Sequence, residues 1–366
     1  MASSKGLTDI VGYEFYQITF TSAICFSVYV FFGYFLVLAG ACAMCYLLHL
    51  AYAYQTSSPV DPKGRGVFIT GCDSGIGFAF AQHLDELGFT VFASCLDDKS
   101  HGARKLRTTC SKKLHVLHCD VTKDDSINNA AEYVKKAMPK KGLWAVINNA
   151  GINMISEIEL TTPSMYNRGL DVNLYGPIRV IKAFLPFIRK SQGRVVNVTS
   201  VHGLMSIPRW NNYEVAKHGM ETLSDSLRLE MAKFGVRVSI VEPGAFAHAT
   251  AIHTDAMVAR LKKDIGELWE NTPPEVRKSY DLESVLGWVP EACHSGWFTD
   301  TEALSELSAA AQHAICARYP RARYTVAGDR NTLRLYDAYT MMARVHKYLP
   351  TWIMDRIVAY FRKGQM

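Results

Sequence analysis

Charge is the first thing missing. Over residues 15–54 there is no Lys, Arg, Asp or Glu, and the run is dense in Phe, Val, Leu, Ala, Tyr and Cys. It exceeds the ~20 apolar residues that span a bilayer and is too long for the apolar core of a cleaved signal peptide. The absence argues against a wholly water-soluble chain and predicts a retained membrane anchor over residues 1–55. Gly33 and Gly40 near its middle leave open two short spans in place of one. Lys63 and Arg65 follow the run, whereas Asp9 and Glu14 offset Lys5 before it, so the positive-inside rule places the rest of the chain in the cytoplasm.

Metal-ligand spacing is missing too. The nine Cys are scattered, and Cys25, Cys42 and Cys45 fall inside the uncharged run. Cys42 and Cys45 form a C-x-x-C, but in so apolar a setting they read as packing positions, so reduced thiols and no metal are expected. The net charge of +6 is unevenly placed: over residues 318–366 ten Lys and Arg stand against three Asp, so that segment carries +7 and the remainder −1. No nucleic-acid motif accompanies the charge. The basic tail therefore points to anionic lipid headgroups and not to nucleic acid.

What is present begins after residue 55. Ser57, Ser58, Pro59, Pro62, Gly64 and Gly66 mark residues 56–65 as a linker. Beyond it, strand-like apolar runs recur at 66–70, 90–95, 114–118, 144–147, 194–198 and 236–241, separated by helix-like segments at 124–138, 162–189 and 211–234 among others. Near-continuous apolar strands alternating with helices predict an α/β fold: a doubly wound parallel sheet, Rossmann-like, covered on both faces. Such sheets bind ligands at the carboxyl ends of their strands.

Three motifs fall at those ends. Thr70-Gly71-x-x-x-Gly75-x-Gly77 joins the first strand to the first helix, where glycines let the backbone approach a pyrophosphate at a helix N-terminus. Tyr213 and Lys217 stand four apart in a helical stretch and share a face, and an ammonium beside a phenol favours the phenolate. Ser200 follows the apolar run 194–199, at a strand end where a substrate oxygen can meet it.

With Asn148-Asn149-Ala150-Gly151 after the fourth strand, Asn173 in DVNLYG, YEVAK and Pro243-Gly244, the order and spacing over roughly residues 64–250 resemble the short-chain dehydrogenase/reductase family. Within it, TGCDSGIG, VEPG and the tail HAICARYPRARY are similar to membrane-associated retinol and hydroxysteroid dehydrogenases and to 3-hydroxybutyrate dehydrogenase. The resemblance implies that Tyr213 is the acid–base residue, that Ser200 holds the substrate oxygen, that Lys217 lowers the Tyr213 pKa and grips the nicotinamide ribose, and that Asn173 holds a relay water. It implies cofactor contacts from Thr70, Gly71, Ser74, Gly75, Ile76, Gly77, Asp97, Asp120, Val121, Asn148, Asn149, Ala150, Gly151, Pro243 and Gly244. NAD is favoured over NADP, because Asp97 and Asp98 stand at the end of the second strand and no Arg or Lys sits where a 2′-phosphate would need a cation.

One position departs from the family pattern. Where a Thr usually follows Pro243-Gly244 by four residues, this chain has His248, with Thr250 two further on. His248, Ser200 and Arg209 are the candidate substrate contacts. Residues 250–301 read as a substrate lid, 66–320 as the catalytic domain, and 321–366 as a membrane-associated segment. The expected substrate is a lipophilic alcohol, retinoid or hydroxysteroid; a small hydroxy acid such as 3-hydroxybutyrate is the alternative. The expected site is a membrane, that of the endoplasmic reticulum or the mitochondrial inner membrane, with room for a homodimer. A non-catalytic scaffold would be expected to lose one of Ser200, Tyr213 and Lys217, and all three are present.

Overall fold

A computed structural model describes residues 4–55, 59–246, 250, 255–287, 289, 304–328 and 338–363. The chain divides into two compact units, Met1–Ser58 and Pro59–Met366.

The first unit is one helix, α1 (Ser4–Gln55). Within it Ile18–Leu48, 31 residues, is long and apolar enough to cross a membrane. Gly33 and Gly40 do not interrupt it, so two short spans give way to one helix. A glycine in a helix interior costs only about 1 kcal/mol relative to Ala, too little to break so long a run.

The second unit alternates strand and helix: β1 (Gly66–Thr70), α2 (Gly75–Glu86), β2 (Thr90–Cys95), α3 (His101–Thr109), β3 (Leu114–His118), α4 (Asp124–Ala137) and β4 (Leu143–Asn148). There follow α5 (Pro163–Leu170), a π-helical turn Asp171–Tyr175, α6 (Gly176–Ser191), β5 (Arg194–Val198), α7 (Asn211–Met231) and β6 (Arg237–Pro243). The chain continues with α8 (Asp255–Asn271), α9 (Pro274–Arg277), α10 (Leu282–Leu286), α11 (Ser305–Cys316), β7 (Arg323–Val326), α12 (Ala338–Val345) and α13 (Thr351–Lys363).

All seven strands pair in parallel in the order β3-β2-β1-β4-β5-β6-β7. The chain winds outward from β1 to β3, then returns to place β4 on the other side of β1. This reversal opens a crevice at the carboxyl ends of β1 and β4. β1, β4 and β5 are buried at every position, as strands covered on both faces must be. One apolar layer joins Phe78, Phe80 and Leu84 of α2 to Leu106 and Ile315. The opposite layer joins Ile127, Val134, Phe184 and Ile188, with Phe68 and Phe184 stacked at 4.2 Å.

Two expectations need correction. A seventh strand, β7, pairs with β6, so the catalytic domain does not end at 320. Residues 162–189 are not one helix: the chain widens into a π turn at Asp171–Tyr175, a feature concentrated at functional sites. The C-terminal helix α13 packs Met354, Ile357 and Val358 onto Val201, Met205, Met342 and Ala343, with Trp352 left exposed. Of the expected lid, residues 255–287 bury Leu261, Ile265 and Leu268 of α8 with Ile155, Leu160 and Val285, and residues 251–254, 288 and 290–301 lie outside the described residues.

Candidate active site

The turn after β1 is shaped by what cannot fit there. At Gly71, with φ +71°, an added Cβ would lie 2.8 Å from Ala150 Cα, and at Gly77 it would lie 2.2 Å from Gly71 O. Only glycine permits that approach. Thr70 ties the two strand ends: its Oγ1 accepts from Asn149 N and Ala150 N, both at 3.0 Å. Asn149 replies, its Nδ2 donating to Thr70 O at 3.0 Å and to Gly71 O at 3.1 Å. Ser74 caps α2 without a side-chain bond to its first amides, which leaves them to a ligand.

A cavity of about 510 Å³ opens above these ends. It is lined by Gly71, Ser74, Gly75, Ile76, Asp120, Val121, Asn149, Ala150, Gly151, Pro243 and Gly244, and by Ser200, Tyr213 and Lys217. Thr70, Gly77, Asp97, Asn148, Asn173 and Arg209 do not line it. Thr70, Gly77 and Asn148 act behind the wall; Asn148 Nδ2 donates to Asn197 Oδ1 at 2.8 Å, and Asn197 Nδ2 to Ser224 Oγ at 2.7 Å. Asp97 is exposed, its Oδ1 taken by Lys99 N at 2.9 Å. Arg209 is half-buried with φ 78°, and its carbonyl accepts from Ser156 N at 2.8 Å. His248 lies outside the described residues.

Asp73, Leu96, His202, Trp210, Phe246 and Met257 also line the cavity, beyond the residues legible in the sequence. Asp73 holds the end of β2, its two carboxylate oxygens accepting from Leu96 N at 2.9 Å and Asp97 N at 3.0 Å. It stands within the Gly-rich turn, which was the signal available. His202 follows Ser200 by two residues and packs its ring against that of Trp210, tilted by 31° with centroids 4.9 Å apart. Its Nδ1 lies 2.9 Å from Oε1 of Glu214, a buried carboxylate that also accepts from Ile207 N at 2.8 Å. Glu214 thus pins the loop between Ser200 and Tyr213.

Ser200 sits at the exit of β5, where its Oγ accepts from His202 N at 3.2 Å. Tyr213 and Lys217 project from the first turns of α7, the ammonium 5.4 Å from the phenol ring centroid. Lys217 Nζ donates to Val198 O at 3.0 Å. Burial pushes the Tyr213 phenol up to about 12, against hydrogen bonding with Ser200. Burial pulls the Lys217 amine down to about 8, with Glu221 opposing. The lowered Tyr213 pKa expected from the sequence is therefore not a property of the protein alone, because the ammonium turns to Val198 and desolvation dominates. Asn173, in the π turn, is spent on Ile152: Oδ1 accepts from its N–H and Nδ2 donates to its carbonyl, both at 2.9 Å. Those two bonds make its side chain a positioning group for the segment after β4.

A dinucleotide fits this set: glycines bare the backbone at the turn, the α2 amides face an anion, and the cavity runs from Asp120 to Tyr213. The class is that of the doubly wound oxidoreductases. The sequence model described as short chain dehydrogenase matches residues 65–259. D-beta-hydroxybutyrate dehydrogenase, mitochondrial, of Bos taurus is 40% identical over 73% of this chain and 78% of its own. Retinol dehydrogenase 16 of Homo sapiens is 39% identical over 88% and 96%, and 17-beta-hydroxysteroid dehydrogenase type 2 of Homo sapiens 36% over 89% and 84%. A short-chain dehydrogenase structure from Streptomyces avermitilis superposes with a TM-score of 0.56 at 21% identity, covering 83% of this chain and 98% of that one. The chain belongs to the short-chain dehydrogenase/reductase family. It is an oxidoreductase acting on CH–OH groups, with a nicotinamide cofactor.

Proposed function

We propose that this protein is an NAD-dependent dehydrogenase that interconverts a lipophilic alcohol, a retinoid or hydroxysteroid, and its carbonyl. The observation that carries the reading is the apolar share of the lining: Ile152, Val201, Trp210, Phe246 and Met257 line the same cavity as Ser200 and Tyr213, with the Trp210 and Tyr213 rings 6.1 Å apart. Among the described residues lining the cavity Lys217 is the sole Lys or Arg. An apolar wall suits a substrate that partitions into lipid. The retinol and hydroxysteroid relatives also match a larger share of this chain than does the hydroxybutyrate enzyme.

Nicotinamide supplies the hydride acceptor or donor. In oxidation Tyr213 takes the hydroxyl proton and Ser200 holds the oxygen, in line with their adjacency at the ends of β5 and α7. Lys217 supports the phenolate, and Asn149, Ala150 and Gly151 hold the cofactor's adenine side. A carboxylate at Asp73 and the lack of a cation beside Leu96 suit a free ribose hydroxyl over a 2′-phosphate. kcat/KM with NAD should exceed that with NADP, and a tenfold preference for NADP would overturn the assignment. The reading puts the protein in the endoplasmic reticulum membrane, with the mitochondrial inner membrane as the alternative; fractionation against markers of both decides.

One observation favours a second reading, a 3-hydroxybutyrate-type dehydrogenase. The His202 ring lies 6.0 Å from that of Tyr213, and an imidazole held by Glu214 suits a carboxylate near the reacting carbon. Arg209, between Ser200 and Tyr213, is the cation the sequence offers for such a carboxylate. Since it does not line the cavity, Arg209→Ala should change oxidation of a lipophilic alcohol less than about threefold, whereas loss of a carboxylate contact costs about ten- to a hundredfold. Such a loss on 3-hydroxybutyrate, with good turnover by the wild type, would replace the lipophilic assignment.

A further inference from the structure

One turn beyond Lys217 on α7 lies a second buried charge, Glu221, only 7% exposed. Its Oε2 accepts from Arg323 of β7. The same guanidinium serves Glu242 Oε1 at 2.8 Å and Asp225 Oδ2 at 2.5 Å, while Glu242 Oε2 takes the Thr325 hydroxyl at 2.6 Å. One guanidinium thus faces three carboxylates. Glu221 Oε1 is buried with no hydrogen-bond partner among the described residues. A Cβ placed on Gly203 would lie 3.1 Å from Glu221 Cγ, so the carboxylate sits directly beneath the loop that leaves Ser200.

We infer that Glu221 is a positioning residue that keeps Lys217 an ammonium beside Tyr213, and that Arg323 anchors it there from the seventh strand. The spacing supplies the first argument: Lys217 and Glu221 are i and i+4, neighbours on one face of α7. Burial supplies the second. A buried ammonium loses its proton readily unless an opposite charge is near, and Glu221 is the group that opposes the fall at Lys217. The charged groups gathered here are Lys217, Glu221 and Asp225 of α7, Glu242 of β6 and Arg323 of β7, with the Thr199 hydroxyl beside Glu221. Burial and Glu242 push the Glu221 carboxyl up, and Thr199 and Arg323 hold it down. Arg323 thus favours the carboxylate against the burial that raises it, and the carboxylate in turn favours the charged amine. The strand missing from the sequence reading then has a part in the chemistry.

The inference rests on Tyr213 and Lys217 as the acid–base pair, so its test reads the amine with and without turnover. In full-length detergent-solubilised protein, competitive acetylation of Lys217 across pH, followed by mass spectrometry, reports its titration whether or not any substrate is found. Glu221→Gln should lower that titration by about one pH unit, since one unit corresponds to a tenfold change in protonation equilibrium. With whichever alcohol is oxidised, the acid limb of kcat/KM should move up in pH, because a weaker cation leaves the phenol harder to ionise. At high pH the rate should recover. Glu221→Asp keeps the charge but withdraws it by one methylene, so its shift should have the same direction and a smaller size. It also carries the test if the Gln variant does not fold. Unchanged Lys217 titration in the folded variants overturns the inference, even if rates fall uniformly; failure of every alcohol overturns the functional reading and leaves the acetylation result to stand.

Discussion

Lys217 is the residue on which the chemistry and the stability of the domain meet. It is 5% exposed, and burial lowers its amine from 10.5 to about 8. The folded pKa lies below the unfolded one, so between those values the unfolded chain binds more protons, and stability rises with pH across that window. Below pH 8 the buried ammonium costs stability; above 10.5 both states are neutral and the cost is gone. The stability difference between wild type and Lys217→Met should therefore move in favour of wild type by up to about 3 kcal/mol over this window, at 1.36 kcal/mol per unit. Denaturation at several pH values checks this, and a pH-independent difference would contradict the assigned burial. The same residue shows what a sequence does and does not disclose. Tyr213, Lys217 and Ser200 are legible because their spacing implies a shared face and a strand end. Where the ammonium points is not, since Val198 O competes for it only once β5 and α7 are packed. Asp73 and Asp97 make the same case: both are acidic and near the turn, but Asp73 lines the cavity while Asp97 faces solvent.

The turn between β1 and α2 is the element that sets the cofactor side. Gly77→Ala would put a methyl 2.2 Å from Gly71 O and 2.5 Å from Asn149 Nδ2, and the first of these is backbone that cannot swing away. The expected cost is about 1–3 kcal/mol of stability, the range for overpacking, together with at least tenfold weaker NADH binding. Gly266→Ala in α8, where nothing lies within 4 Å of an added Cβ, is the control and should gain about 0.4–1 kcal/mol. Equal behaviour of the two variants, by thermal unfolding and cofactor titration, would remove the turn from the account. Elements as wholes follow a similar logic of legibility. β1 and β2 lie where their apolar runs predict, because strands buried on both faces leave a continuous signal; β3, with Leu117 its one buried position, also lies where expected. β7 escaped notice because it is an edge strand of four residues, with Tyr324 its one buried position and an arginine at its start. The π turn has no sequence period of its own, so it read as uninterrupted helix.

At the scale of the molecule the chain joins a 31-residue apolar span to a dehydrogenase domain whose cavity is lined by Ile152, Val201, Trp210, Phe246 and Met257 together with Ser200 and Tyr213. Both features suit a substrate drawn from a lipid phase. His202, held from behind by the buried Glu214, is the counterweight, since it lines the same cavity with its ring 6.0 Å from that of Tyr213. The two readings make opposite demands on one quantity. In the full-length protein with NAD, kcat/KM should be compared side by side for a retinol, a hydroxysteroid and 3-hydroxybutyrate in the same detergent. The account predicts that a retinol or hydroxysteroid exceeds 3-hydroxybutyrate by at least about tenfold, or 1.4 kcal/mol of transition-state stabilisation. A preference of that size for 3-hydroxybutyrate would contradict it.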